Sequence, residues 1–170
     1  MTRKNAGLIV GFLNFIIFGI SIICQTSGFV DISIKNATPV ILVPLITAYS
    51  VNSSVGLCSI VGFLTGACMD SLTKGAYCFN TITFICLATG VCLATNNLFN
   101  KNLKGVAALS AITAVIYHLS YFVVFHLLKY PIADSLGFLV RYVFPSALYS
   151  AVFIFPFYYL YKYLNKLKEV

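Results

Sequence analysis

The stretch Ser54-Val-Gly-Leu-Cys-Ser-Ile-Val-Gly-Phe-Leu-Thr-Gly-Ala-Cys-Met-Asp-Ser-Leu72 decides the fold class. It carries a single charge, Asp70, close to its end, and contains no proline. At a rise of about 1.5 Å per residue it forms a helix nearly as long as a bilayer's hydrocarbon core is thick, which about 20 apolar residues cross. The rest of the chain has the same character. Of its 170 residues, 60% are hydrophobic and only 9% are charged, and the mean hydropathy is +0.95. A soluble domain carries about 25% charged residues. So few charges cannot clothe a water-soluble surface, which excludes a cytosolic enzyme, a nucleic-acid-binding module and a disordered regulator.

Working outward from this segment, the hydropathy pattern predicts six spans: 6–24, 37–51, 54–72, 77–95, 106–128 and 136–161. The tails and loops that remain are too short to hide a soluble domain. The expected fold is therefore a single all-α integral membrane domain over residues 1–170, a six-transmembrane helical bundle. The second span is the shortest and holds Pro39 and Pro44. Pro39 is expected in its first turn, where a missing N–H is harmless, and Pro44 is expected to kink it. The first span is too long for a signal-peptide core and no small-x-small site follows it, so it reads as a permanent anchor.

The net charge of +7 sits at the ends of the spans, where it reads as orientation rather than nucleic-acid binding. With six spans and the N-terminus inside, Arg3, Lys4, Lys101, Lys104, Lys162, Lys166 and Lys168 face the cytoplasm, against Lys35, Lys74 and Lys129 outside. If the second span failed to cross, the bias would reverse. The positive-inside rule thus predicts both termini in the cytoplasm. Tyr158, Tyr159, Tyr161 and Tyr163 alternate with Lys162 and Lys166 near the C-terminus. Rings at headgroup depth beside snorkelling lysines make an interfacial anchor facing the anionic inner leaflet, so membrane lipids are expected partners.

Little in the chain points to catalysis. The four acids, Asp31, Asp70, Asp134 and Glu169, are scattered, where paired-carboxylate chemistry needs two together. No GxSxG, HExxH or phosphate-cradling glycine loop occurs. Cys24, Cys58, Cys68, Cys78, Cys86 and Cys92 form no CxxC pair and read as buried, reduced, small hydrophobes rather than a metal cluster. His118 and His126 share one helix, about 80° apart and about 12 Å along its axis, and cannot jointly hold a metal. Hydrogen bonding to neighbouring helices is expected of them, and a proton relay would lack its chain of acids. No cofactor or metal is expected.

Gly62, Gly66 and Asp70 recur every fourth residue and share one helix face. The glycines admit a second backbone, as in small-xxx-small packing. Asp70 lies where its own helix's dipole disfavours a carboxylate, so another group must hold it. Lys74, Asn80, His118 and Arg141 are the candidates, and for Asp70 the alternative is a solvated aspartate beside Lys74. Arg141 either snorkels to the outer interface or pairs inside the bundle. Gly7 with Gly11 forms a second small-residue pair, a candidate contact for a partner helix, and Ser110 with Ala114 a third.

The run Val61-Gly-Phe-Leu-Thr-Gly-Ala-Cys-Met-Asp70-Ser-Leu-Thr-Lys-Gly-Ala-Tyr-Cys-Phe-Asn80 resembles the rod shape-determining membrane protein MreD family. That family shows Gly-Phe-x-x-Gly-x-x-x-Asp, a short turn, then Leu-Gly opening the next helix. The chain's length, six-span plan, proline-bearing second span and basic tail are also similar. Tyr77-Cys78 stands in place of Leu-Gly. The resemblance implies a non-enzymatic scaffold of the bacterial cell-elongation complex in the cytoplasmic membrane. Such a scaffold controls cell shape and directs peptidoglycan synthesis. It also implies association with the single-span protein MreC, and through it with the actin-like MreB and the peptidoglycan polymerase and transpeptidase. The substrate-binding S components of energy-coupling-factor vitamin transporters have a related layout, and a subunit of that kind is the alternative expectation.

Overall fold

A computed structural model describes residues 3–27, 39–73, 78–99, 101–127 and 139–169. Among these every regular element is helical. In order come α1 (Arg3–Thr26), α2 (Leu42–Ser50), α3 (Val55–Leu72), α4 (Phe79–Asn97) and α5 (Leu103–Phe122). The last continues as a π-helical turn, Val123–Leu127. A second π turn, Leu139–Val143, leads into α6 (Phe144–Val152), and α7 (Ile154–Glu169) follows. Four of the described helical stretches are long and apolar enough to cross a membrane: Gly7–Thr26, Val55–Leu72, Phe79–Asn97 and Leu103–His126. The protein is built to be embedded in a bilayer.

Two of the expected spans differ. Within 37–51 the described helix is only α2, nine residues or about 14 Å, too short to cross about 30 Å of hydrocarbon alone. All nine are buried, enclosed by α1, α3, α4, α5, α6 and α7. The sequence marks this segment as apolar because protein rather than lipid surrounds it. Pro39 precedes the helix and Pro44 is its third residue. A first-turn N–H has no intrahelical acceptor, so the expected kink does not form. The segment expected at 136–161 is divided at Phe153 into α6 and α7, and α7 runs on to Glu169. Pro156 lacks the N–H that would bond the carbonyl of Val152. The Phe153 N–H turns instead to the Ser150 carbonyl (3.2 Å).

From α1 to α5 successive helices run in opposite directions. Gln25, in the last turn of α1, accepts the Ile41 N–H (2.9 Å) and donates to the Pro39 carbonyl (3.3 Å), joining the end of α1 to the start of α2. The last turn of α3 and the first turn of α4 lie at that same end. The end of α2, the start of α5, the first turn of α1 and the last turns of α7 gather at the other end. That second end therefore carries Arg3, Lys4, Lys101, Lys104, Lys162, Lys166 and Lys168.

The core is built around α2. Leu42, Val43, Leu45 and Ile46 are at most 2% exposed and belong to one cluster with Phe84, Val106 and Ile154. Tyr49 receives ring edges from Phe18 (5.7 Å) and Tyr161 (5.9 Å), tying α1 and α7 to α2. The Thr47 and Thr113 hydroxyls meet at 3.0 Å between α2 and α5.

Candidate functional site

Gly62 and Gly66 lie where α3 crosses α4. A Cβ on Gly62 would sit 2.7 Å from the Phe84 carbonyl oxygen and 3.0 Å from the Ile85 Cα. A Cβ on Gly66 would fall on the Thr81 Cα and 2.7 Å from the Asn80 carbonyl oxygen. Backbone, not a flexible side chain, fills both spaces, so any residue larger than glycine forces the two helices apart. Both glycines are buried. The small-residue face is an internal seam between consecutive helices.

One turn further along, Asp70 ends the seam. Its Oδ1 accepts the Asn80 N–H (3.1 Å) and the Asn80 Nδ2 (2.9 Å), and its Oδ2 accepts the Thr81 N–H (2.9 Å) and the Thr81 hydroxyl (2.6 Å). Cys78 occupies the N-cap position of α4 and supplies no side-chain cap. Asp70 therefore caps α4 from a different helix, serving the second and third orphan N–H groups of its first turn. This resolves the electrostatic misfit. The carboxylate sits at the unfavourable end of α3 but against the positive end of α4.

Asn80 carries the clamp into the bundle. It is 5% exposed, and its Oδ1 accepts the Tyr117 hydroxyl of α5 (2.8 Å). Tyr117 stacks on Phe84 (5.4 Å, 16°), the residue whose carbonyl lies against Gly62. Asp70, Asn80, Tyr117 and Phe84 thus link α3, α4 and α5 in one continuous set of contacts.

Cys78 has φ 60° and ψ 13°, the left-handed region. This is the position where the resemblance expects glycine. The close approach that such a glycine would allow is not what the backbone requires there. The conformation is, because the chain must turn sharply to bring the start of α4 over Asp70, and a side chain in that region costs about 1–2 kcal/mol.

The other candidates separate from this cluster. His118 is buried and bonds the Ser150 hydroxyl through Nε2 (3.2 Å), not Asp70. Ser150 also donates to the Ser146 carbonyl (2.8 Å) and accepts the Val40 N–H (2.9 Å), so this second junction fastens α5, α6 and the approach to α2. Arg141 is exposed on the second π turn and does not hold Asp70. His126 stacks on Phe122 at 5.5 Å. Lys74, Asp31 and Asp134 lie outside the described residues. Gly7 and Gly11 have nothing within 4 Å where a Cβ would be. They lie on the outer surface of α1 beside the exposed Leu8, Phe12 and Phe15.

All six cysteines are free thiols. Cys58 and Cys92 are buried, and their sulfurs donate to the Ser50 (3.8 Å) and Ser53 (3.1 Å) carbonyls at the end of α2. Cys68, Cys78 and Cys86 are exposed rather than buried, which corrects the expectation for those three. Among the described residues no group of three His, Cys, Asp or Glu side chains could hold a metal ion.

Thr81, Tyr117 and Ser150 are the members of these junctions that the sequence did not single out. Thr81 and Tyr117 are two among several hydroxyl side chains in α4 and α5, and the spacing of 32 residues between His118 and Ser150 has no local signature. Comparisons of the chain with protein-family models, with curated proteins and with solved structures return no match.

Proposed function

We propose that this protein is a non-enzymatic membrane scaffold of the MreD kind, acting in the bacterial cell-elongation complex. One observation carries the reading. Gly62, Gly66 and Asp70, the residues on which the resemblance rests, act together as a seam and its cap. A motif of spaced glycines and one acid is then explained by the architecture of a helix pair, with no substrate required. The buried polar groups Asn80, His118 and Ser150 are likewise engaged in holding helices together. In this reading the chain crosses the cytoplasmic membrane six times, with the short α2 passing through the centre of the bundle. Both termini lie in the cytoplasm, because the end that gathers the lysines is the one the positive-inside rule retains there.

The partner is a single-span MreC-like protein, and through it MreB and the peptidoglycan polymerase and transpeptidase. Since the seam of α3 is used internally, we assign the partner helix to the exposed face of α1 at Gly7 and Gly11. The test is affinity purification of the tagged chain from bacterial membranes in mild detergent, followed by mass spectrometry. Recovery of an MreC-like protein supports the scaffold. Recovery of a pair of ATPase subunits with a bound vitamin supports the transporter subunit and overturns it.

A further inference from the structure

At the lysine-rich end of the bundle an open cleft of about 240 Å³ lies between the end of α2, the start of α5 and the last turns of α7. Lys101, Lys162 and Lys166 line it together with Asn52 and Asn165, and among the described residues no carboxylate does. Three like charges around one cavity repel one another unless an anion lies among them. The start of α5 adds to the positive field. Lys101 stands just before that helix, and Asn102, its N-cap residue, makes no side-chain bond to the first N–H groups. A third observation concerns Tyr161, which also lines the cleft. It is 4% exposed, and its buried hydroxyl has no hydrogen-bond partner among the described residues. A buried hydroxyl left unbonded is costly, and an acceptor oxygen entering the cleft would relieve it.

We propose that this cleft binds the phosphate of an anionic phospholipid headgroup. Lysine ammoniums, asparagine amides and a tyrosine hydroxyl are all donors to phosphate oxygens. The volume is below the roughly 300–1,000 Å³ of pockets that take a whole small-molecule ligand, and it suits a phosphodiester whose acyl chains stay outside. Placement favours lipid over a soluble anion. Tyr159 and Tyr163 are exposed on α7 beside Lys162, the arrangement of rings and lysines that sits at headgroup depth. Basic clefts between helices at the cytoplasmic face take anionic headgroups. The inference rests on the protein's being membrane-embedded and is independent of which protein partner it has.

The test uses the full chain, delipidated in mild detergent, with dioleoylphosphatidylglycerol as the probe and dioleoylphosphatidylcholine and inorganic phosphate as comparisons. Binding is read by native mass spectrometry and by the rise in melting temperature. Phosphatidylglycerol is expected to be retained at least tenfold more tightly than phosphatidylcholine. Lys162→Gln or Lys166→Gln should weaken it about fivefold each, since a lysine near an anionic surface contributes on that scale. Tyr161→Phe keeps the ring against Tyr49 and removes only the hydroxyl. It should weaken binding severalfold while the unliganded protein melts no lower. Lys104→Gln, which removes a charge at the same end but outside the cleft, should change binding less than twofold. Equal retention of the two lipids would overturn the proposal. So would variants at Lys162, Lys166 and Tyr161 that bind like the wild type, or displacement of phosphatidylglycerol by millimolar inorganic phosphate, which would assign the cleft to a soluble anion.

Discussion

The carboxylate of Asp70, in the last turn of α3, accepts the backbone N–H of Thr81, in the first turn of α4, at 2.9 Å. One residue therefore supplies the cap that α4 lacks at its own N-cap position and fixes where α4 begins relative to the glycine seam. Asp70→Ala removes four hydrogen bonds at once. Losing a cap costs about 0.5–2 kcal/mol, and stranding the buried Asn80 amide adds about 1–3 kcal/mol. A loss of about 2–4 kcal/mol is expected, read as a lower melting temperature in detergent. Asp70→Asn keeps acceptor oxygen for one of the two N–H groups and should lose about half as much. An Asp70→Ala protein that melts like the wild type would show that the clamp contributes nothing.

Gly66→Ala should be more damaging than its single methyl suggests. The added carbon meets the backbone of Thr81 and Asn80, which cannot rotate away as a side chain would. Overpacking of about 1–3 kcal/mol is expected, and Gly66→Leu should lower the amount of folded protein in membranes. Gly62→Ala meets the Phe84 carbonyl and should behave similarly. Normal yield and melting of both alanine variants would place the seam elsewhere.

Cys78→Gly should stabilise the protein. The position has φ 60°, which glycine adopts freely and cysteine does not. Relief of the left-handed penalty, less the extra freedom glycine gives the unfolded chain, leaves a gain of about 0.5–1 kcal/mol. The melting temperature should rise by a few degrees. A fall would mean that the cysteine side chain contributes packing that outweighs its backbone.

The orientation is testable in intact cells. In a cysteine-free background, a single cysteine at Asn102 should be closed to a membrane-impermeant reagent added outside, and one at Asp134 should be open. The expectation follows from the gathering of Lys101, Lys104, Lys162 and Lys166 at one end of the bundle. Labelling at Asn102 from outside would overturn the topology.

Much of the scaffold was legible in the sequence. A long apolar run has one economical reading, and α1, α3, α4 and α5, the last with its π-helical turn to Leu127, begin and end within a few residues of where hydropathy places them. The interval of four between Gly62, Gly66 and Asp70 was enough to place them on one face. What hydropathy cannot register is whether an apolar segment meets lipid or protein, so it marks α2 as apolar without showing that the helix is short and enclosed by the other helices. The partners of Asp70 were half legible. Asn80 is a side chain and could be named, but the decisive donors are backbone N–H groups, which every residue owns and no sequence displays. Cys78 shows a related limit. The resemblance marks the position as special, and only the backbone tells that its conformation, not its size, is the reason. His118 and Ser150 could be joined only by the fold.

The glycine seam of α3 is buried inside the protein, and we propose that the outer face of α1 receives the partner helix. The direct measurement is recovery of an MreC-like single-span protein with the double variant Gly7→Leu, Gly11→Leu, alongside its yield and melting temperature. Neither glycine has an atom within 4 Å of an added Cβ, so the variant should fold and melt as the wild type does. Leucines there would keep another helix from close approach, and recovery of the partner should fall at least tenfold. Wild-type recovery from a normally folded variant would contradict the account.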